Sequence, residues 1–323
     1  MSRARRSRGR CSGRVSSSTS TRVRRGGAVS STTSPPFGAP CCATASPFFR
    51  GSGTGSSSRR TRSEARRACA RRRCHRFHPL VNLAGDTIAA GRWTAARKAR
   101  IRDSRVGTTG RLVEAASGAA RRPTVLVNAS AVGYYGPHGD EALDETAPPG
   151  ADFLARVCEA WEREALRAEA LGIRVVRLRL GVVLAPDGGA LGRMLPPFRA
   201  FVGGPLGSGR QWMSWIQRDD VIGLVLAVLE DERYRGPLNA TAPRPVENRD
   251  FARALGSALG RPAWLAVPAP VLRLVLGELA DMLLTGQRVM PRAAERLGYR
   301  WRHPDLPGAL AASLGRPTAS APG

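Results

Sequence analysis

The side chains able to attack, ligate a metal or exchange a proton are unevenly spread along this 323-residue chain. Five of the six cysteines, Cys11, Cys41, Cys42, Cys69 and Cys74, fall in the first 78 residues, and only Cys158 lies beyond them. A zinc site needs close pairs of thiolate or imidazole ligands. Cys41 and Cys42 are adjacent, Cys69 and Cys74 stand apart from any paired histidines, and no metal-ligand or Ser-His-Asp spacing links His75, His78, His138 and His303. Cys158 has no histidine beside it to take its proton, so it reads as a small packed residue rather than a nucleophile. Gly51-Ser-Gly-Thr-Gly55 has the glycines of a phosphate-binding loop. Such a loop works by ending an apolar strand and opening a helix, whose N-terminal N–H groups hold the anion, and neither flank is present here. Arginine runs such as Arg3-Ala-Arg-Arg-Ser-Arg8 and Arg71-Arg-Arg73 would hold polyanions, nucleic acid included, non-specifically.

Composition divides the chain near residue 79. Residues 1–78 hold 19 Arg, no Lys, 16 Ser and one acidic residue, Glu64, and so carry +18 of the formal +26. They contain no Leu or Ile, too little apolar area to offset ordering entropy, and are expected to be disordered. Arg- and Ser-rich, acid-poor N-termini also look like organelle transit peptides. No window of the chain approaches 18 uninterrupted apolar residues, so no membrane span is expected. A single cysteine past residue 78 points to a reducing, cytoplasmic setting.

From Pro79 onward the pattern is that of an α/β protein. Leu80-Val-Asn-Leu-Ala-Gly85 is a short apolar run ending in Gly, the mark of a buried parallel strand. Residues 94–117 read as one helix, with Ile101, Val106, Leu112 and Val113 on one side. Thr124-Val-Leu-Val-Asn-Ala129 is a second strand, and residues 152–171 a second helix stopped by Gly172. Ile173-Arg-Val-Val-Arg-Leu178 is a third strand. This alternation implies right-handed crossovers and a doubly wound parallel sheet. Beyond it, Gln211–Ile216 looks extended, Asp219 or Asp220 caps a helix to about Leu229, and Asn248 or Asp250 opens another to Leu259. Helices at 268–284 and 291–297 and a short one near Leu310 close the chain.

Several pieces recur together: Asn82-Leu-Ala-Gly85, Arg92-Trp93, Ser104-Arg105-Val106, Asn128-Ala-Ser-Ala-Val-Gly-Tyr-Tyr-Gly136, Trp161-Glu162 and Arg179-Leu-Gly-Val-Val183. Gly203-Gly-Pro-Leu-Gly-Ser-Gly-Arg-Gln211, Trp215-Ile216, Asp219-Asp220 and Asn239-Ala-Thr-Ala-Pro243 follow in order. As a set they resemble the atypical extended short-chain dehydrogenase/reductases called the epimerase family, over roughly residues 80–314. The resemblance implies a Rossmann-type sheet binding NADP or NAD, with NADP favoured, and a small helical C-terminal module facing a sugar-nucleotide-like small molecule. It puts Asn82, Leu83, Ala84 and Gly85 against the adenosine half of the cofactor, where small residues let the backbone approach. It makes Arg105 a contact to cofactor phosphate or ribose, with a solvated helix face as the alternative and the better reading for Arg100. Ser130 falls where the family keeps a catalytic hydroxyl, though serines also end strands for turn reasons. Val183 packs near the nicotinamide; Tyr134 and Tyr135 line the pocket or fill core.

Two departures qualify the resemblance. Nothing in residues 1–78 supplies the strand–Gly-x-x-Gly-x-x-Gly–helix that opens such folds, although the segment has about the length of the β-α-β-α-β half it would replace. Right length with wrong composition is what an out-of-frame translation of that half produces; an authentic basic tail is the rival. The family's Tyr-x-x-x-Lys pair is also missing, with Leu154 and Cys158 at its two positions. The expected organisation is thus 1–78 disordered, 79–266 a partial Rossmann-like domain, 267–316 a helical module and 317–323 a tail. The expected function is NAD(P)-dependent epimerase or oxidoreductase chemistry centred on Ser130. A dinucleotide-binding sensor or scaffold without turnover, and a nucleic-acid binder working through residues 1–78, are the alternatives.

Overall fold

The computed structural model describes residues 78–315. The expectations of disorder, polyanion binding and a transit role for the N-terminal segment therefore lie outside the described residues, as does the tail from 317. The first half runs β1 (Pro79–Asn82), α1 (Ala95–Asp103), α2 (Val106–Ser117), β2 (Val125–Ala131), a 3-10 turn (Val132–Tyr135), β3 (Ala142–Leu143), α3 (Phe153–Leu166) and β4 (Arg174–Leu180). It continues through β5 (Val182–Leu184), α4 (Gly189–Arg199), β6 (Trp212–Met213), β7 (Trp215–Gln217), α5 (Arg218–Glu230), β8 (Gly236–Ala240) and β9 (Val246–Glu247). The C-terminal part is α6 (Asn248–Leu259), α7 (Ala269–Leu276), α8 (Leu279–Leu284), β10 (Arg288–Val289), α9 (Arg292–Arg296) and α10 (Leu306–Ser313). Among the described residues no helix is long and apolar enough to cross a membrane.

The main sheet is parallel throughout, in the order β1-β2-β4-β8. Alternation along each strand gives it two unlike faces. Val125, Val127, Val176, Leu178, Leu238 and Ala240 form one, packed beneath Leu224 and Val228 of α5. Leu126 and Val175 begin the other, under Val113 of α2 and Ala165 of α3. Toward the strand C-termini this second face turns polar. Asn82 is in register with Asn128, which is in register with Arg177; Ser130 is in register with Arg179, which is in register with Asn239. A second core, built from Leu191, Leu195, Phe198, Trp215, Phe251, Leu255, Leu306 and Leu310, joins α4 and α6 to α10.

The helix expected over 94–117 is two helices. Ser104 ends α1 with its backbone still helical, and the chain departs at Arg105, φ −102°, whose N donates to Arg102 O. At the junction Ser104 Oγ donates to Ile101 O at 3.0 Å and accepts from Asp86 N at 3.0 Å. Residues 152–171 do open as expected, with the Asp152 side chain accepting from Ala155 N at 2.7 Å, but α3 tightens to a 3-10 turn (Arg167–Leu171) before Gly172 at φ 77°. Gln217, not Asp219 or Asp220, caps α5. Asp220 is instead fully buried and accepts from Arg302 N at 2.7 Å and His303 N at 3.0 Å, tying α5 to the C-terminal segment. Neither Asn248 nor Asp250 caps α6, since Asn248 lies inside it and turns its side chain to Leu206 N at 2.8 Å. β8 escaped the sequence reading because Gly236-Pro237 opens it, and a proline is tolerated there because β8 ends the sheet.

Candidate functional site

The polar ends of β1, β2, β4 and β8 form one edge of the sheet, the edge at which open parallel sheets bind ligands. At its β1 end, Asn82 is buried and its Nδ2 donates to Thr109 Oγ1 at 2.8 Å and Asn128 Oδ1 at 2.7 Å. Trp161 Nε1 donates to the same threonine hydroxyl at 2.8 Å. These bonds leave Asn82 Oδ1 facing the chain that follows, where it accepts from Ala84 N at 3.2 Å. Leu83 is exposed at the turn. Gly85 lies against Arg105, and a Cβ added to it would stand 3.0 Å from the guanidinium carbon.

The break between α1 and α2 is what brings Arg105 here, as the residue before α2. Its guanidinium lies 5.3 Å from the Trp161 ring centroid and donates to Ile101 O at 3.0 Å. No carboxylate lies within ion-pairing distance of it among the described residues, and burial pulls its pKa below the ordinary arginine value. Arg100, by contrast, is exposed and pairs with Asp86 at 3.2 Å. The structure thus gathers Asn82, Ala84, Gly85 and Arg105 into one notch. Val183 sits apart from it, half-buried in β5 beyond Gly181. Gly181 allows the close approach there, since a Cβ on it would come 2.5 Å from Ser214 O.

In the middle of the edge is a network that sequence reasoning did not anticipate. Ser130 is buried and its Oγ donates to Glu162 Oε1 at 2.7 Å. Arg179 grips the same carboxylate with two nitrogens, Nε at 2.8 Å and Nη2 at 3.0 Å, and Arg177 adds a third contact at 3.2 Å. The other nitrogen of Arg179 donates to Tyr135 Oη at 2.9 Å, and Tyr135 Oη in turn donates to Asn239 Oδ1 at 2.7 Å. Glu145 closes the network from the far side, accepting from Asn239 N at 3.1 Å and Ala293 N at 3.0 Å. Tyr135 is therefore core, with its hydroxyl pushed up to about 12 by burial. Tyr134 is half-buried beneath Arg179, 3.5 Å from ring centroid to guanidinium carbon. A signal was available: Arg177 and Arg179 recur at period two in a strand buried on both faces, which requires an acid on the covering helix.

Leu154 packs onto the turn after β2, since a Cβ on Gly133 would touch it at 3.5 Å. Cys158 is buried beside Ser130, and burial, with the neighbouring Glu162 charge, pushes its thiol up to about 12. A thiol so placed is almost wholly protonated at neutral pH and unreactive. Iodoacetamide at pH 8 is expected to label Cys158 at least roughly a thousandfold more slowly in native protein than in urea. Peptide mapping by mass spectrometry checks this, and equal labelling in both states would show that the thiol is accessible.

Comparison with known proteins agrees with this geometry. Residues 60–239 match the model of the NAD dependent epimerase/dehydratase family, and residues 267–313 match a domain of unknown function, DUF1731. An epimerase family protein from Arabidopsis thaliana, the chloroplastic SDR39U1 homologue, is 46% identical over 237 residues, 73% of this chain and 68% of the relative. YfhF, an epimerase family protein of Bacillus subtilis, is 38% identical over 231 residues, 71% of this chain and 76% of the relative. The crystal structure of human epimerase family protein SDR39U1 with NADPH superposes with a TM-score of 0.70 at 37% identity, covering 73% of this chain and 81% of that one. A nucleoside-diphosphate sugar epimerase from Corynebacterium glutamicum gives 0.59 at 36% identity, covering 73% of this chain and 46% of its own. The chain belongs to the NAD dependent epimerase/dehydratase family, and its parallel sheet with flanking helices is the Rossmann-like fold of these relatives.

Proposed function

We propose that this protein binds NADP(H) or NAD(H) along the C-terminal edge of the sheet and holds a sugar-nucleotide-like small molecule beside it. The observation that carries the proposal is Arg105, a half-buried guanidinium without an acid partner, seated against a glycine whose missing Cβ leaves it room. That is a fit for a phosphate or a ribose hydroxyl, which a planar fork of donors engages in two bonds. The NADPH in the human relative supports the same cofactor here. Asn82, Leu83, Ala84 and Gly85 would flank the adenosine half and Val183 would pack by the nicotinamide, which when bound would give or take a hydride. Ser130 is the hydroxyl of the proposed chemistry, held in place by Glu162.

A second reading, binding without turnover, draws on a specific observation. The Ser130 proton is already donated to Glu162, and Leu154 has none to exchange. NADPH oxidation and NADP reduction in the presence of UDP-sugars separate the two readings. Turnover abolished by Ser130→Ala supports the first; saturable NADPH binding with no turnover supports the second; the absence of binding even at millimolar NADPH sinks both. A chloroplastic relative makes an organellar address for residues 1–78 a rival to a cytoplasmic one. Imaging those residues fused to a fluorescent protein decides between them.

A further inference from the structure

Among the described residues, the arginines that are not exposed are Arg97, Arg105, Arg174, Arg177, Arg179 and Arg288. Five of them have partners: Arg97 bonds Asp86, Arg105 bonds Ile101 O, Arg174 bonds two backbone carbonyls, and Arg177 and Arg179 share Glu162. The Arg288 side chain has none. Its Nε is enclosed without a hydrogen bond, as are those of Arg97 and Arg177, but those two pair through their terminal nitrogens and the Arg288 side chain has no hydrogen bond or ion pair among the described residues. The enclosed Nε costs stability, and the terminal nitrogens have no protein partner among the described residues and remain available to a ligand.

The residues around Arg288 are tied down by hydrogen bonds. Its guanidinium carbon lies 4.8 Å from the Trp212 ring centroid, and Trp212 is itself pinned through Nε1 to Asp140 Oδ1 at 2.8 Å. On either side of it, Gln287 Nε2 donates to Val132 O at 2.9 Å and Val289 N donates to Ser214 Oγ at 2.9 Å. Val132 follows β2 directly, and the Ser214 carbonyl is the atom that Gly181 meets just past β4. β10 is therefore fastened to both lips of the sheet edge, with Arg288 held between two anchored residues. With Nε enclosed, the two terminal nitrogens are the donors left to present, and end-on they can take a carboxylate or phosphate in two bonds while the indole backs the guanidinium.

We infer that Arg288, backed by Trp212, is the specificity-determining contact for an anionic group, a phosphate or a carboxylate, on this protein's substrate. This rests on the sheet edge being the binding site. The test uses the full chain with inorganic pyrophosphate and malonate as probes, each titrated against tryptophan fluorescence. Arg288→Met, which keeps length and contact with Trp212 but removes charge, is expected to weaken the preferred probe at least about tenfold, with Arg288→Lys intermediate. The stronger probe identifies the group as phosphate or carboxylate. Because the charge is unpaired in the free protein, Arg288→Met is also expected to raise the melting temperature. Unchanged affinity for both probes, or a melting temperature lowered by several degrees, would overturn the inference and make Arg288 structural. NADPH binding should be unaffected by Arg288→Met; if Arg105→Ala fails to weaken NADPH while Arg288→Met still weakens the probe, the cofactor proposal fails and the anion site stands.

Discussion

Glu162→Ala is expected to destabilise the protein by about 3–5 kcal/mol, a large part of the roughly 5–15 kcal/mol that holds a domain folded. Glu162 is buried on α3 and accepts from Ser130, Arg177 and Arg179. Burial by itself would lower the pKa of Arg179, yet hydrogen bonding to Glu162 and its charge raise it above the usual arginine value. Removing the carboxylate leaves that cation enclosed with nothing to offset its desolvation, and leaves the Ser130 hydroxyl without its acceptor. Glu162→Gln keeps the shape without the charge and should fall between. The double variant Glu162→Leu, Arg179→Met removes both main charges and should recover much of the loss, since apolar replacement of a whole buried pair is often neutral. Urea unfolding followed by tryptophan fluorescence measures all three. A Glu162→Ala protein within about 1 kcal/mol of the parent would mean that water enters and solvates Arg179, contrary to the burial seen here.

Arg105→Ala is expected to weaken NADPH binding by roughly 10–150-fold, the equivalent of one charge-assisted contact of about 1.5–3 kcal/mol. Stability should barely change, because Arg105 gives up no ion pair within the fold. Gly85→Ala, whose Cβ would stand 3.0 Å from the guanidinium carbon, should push the side chain aside and weaken binding less. Trp161, stacked under Arg105, makes fluorescence quenching a direct readout, and the titration must run to millimolar NADPH. No sequence in residues 1–78 supplies the glycine-rich turn that anchors a pyrophosphate, so weak binding is expected from the parent as well. Equal affinities for parent and Arg105→Ala would place the cofactor elsewhere.

Much of the fold was legible from local chemistry. The apolar runs read at 80–85, 124–129 and 173–178 contain the three strands β1, β2 and β4, although β1 stops at Asn82, short of Gly85, and Asp152 and Gly172 bound the helical stretch between the last two. These features depend on residues a few positions apart, where side-chain period, capping bonds and glycine's freedom act directly on the backbone. Where the sequence reading failed, a longer range was involved. The junction after Ser104 is met by Asp86 from 18 residues earlier, and Asp220 looked like a cap because its partners, Arg302 and His303, lie far along the chain.

The candidate site shows the same division more sharply. The family resemblance of the motifs marked Gly85, Arg105 and Ser130 as worth testing, and residue spacing by itself offered no metal-ligand pattern among the histidines. That Arg105 meets Gly85, that Ser130 donates a hydrogen bond to Glu162, and that Tyr135 reaches Asn239, 104 residues away, were decided by the tertiary structure alone. The reason is physical: a strand's pattern shows that a charge will be buried, but the partner of a buried charge is chosen by which helix covers that strand, and packing of the whole sheet decides that.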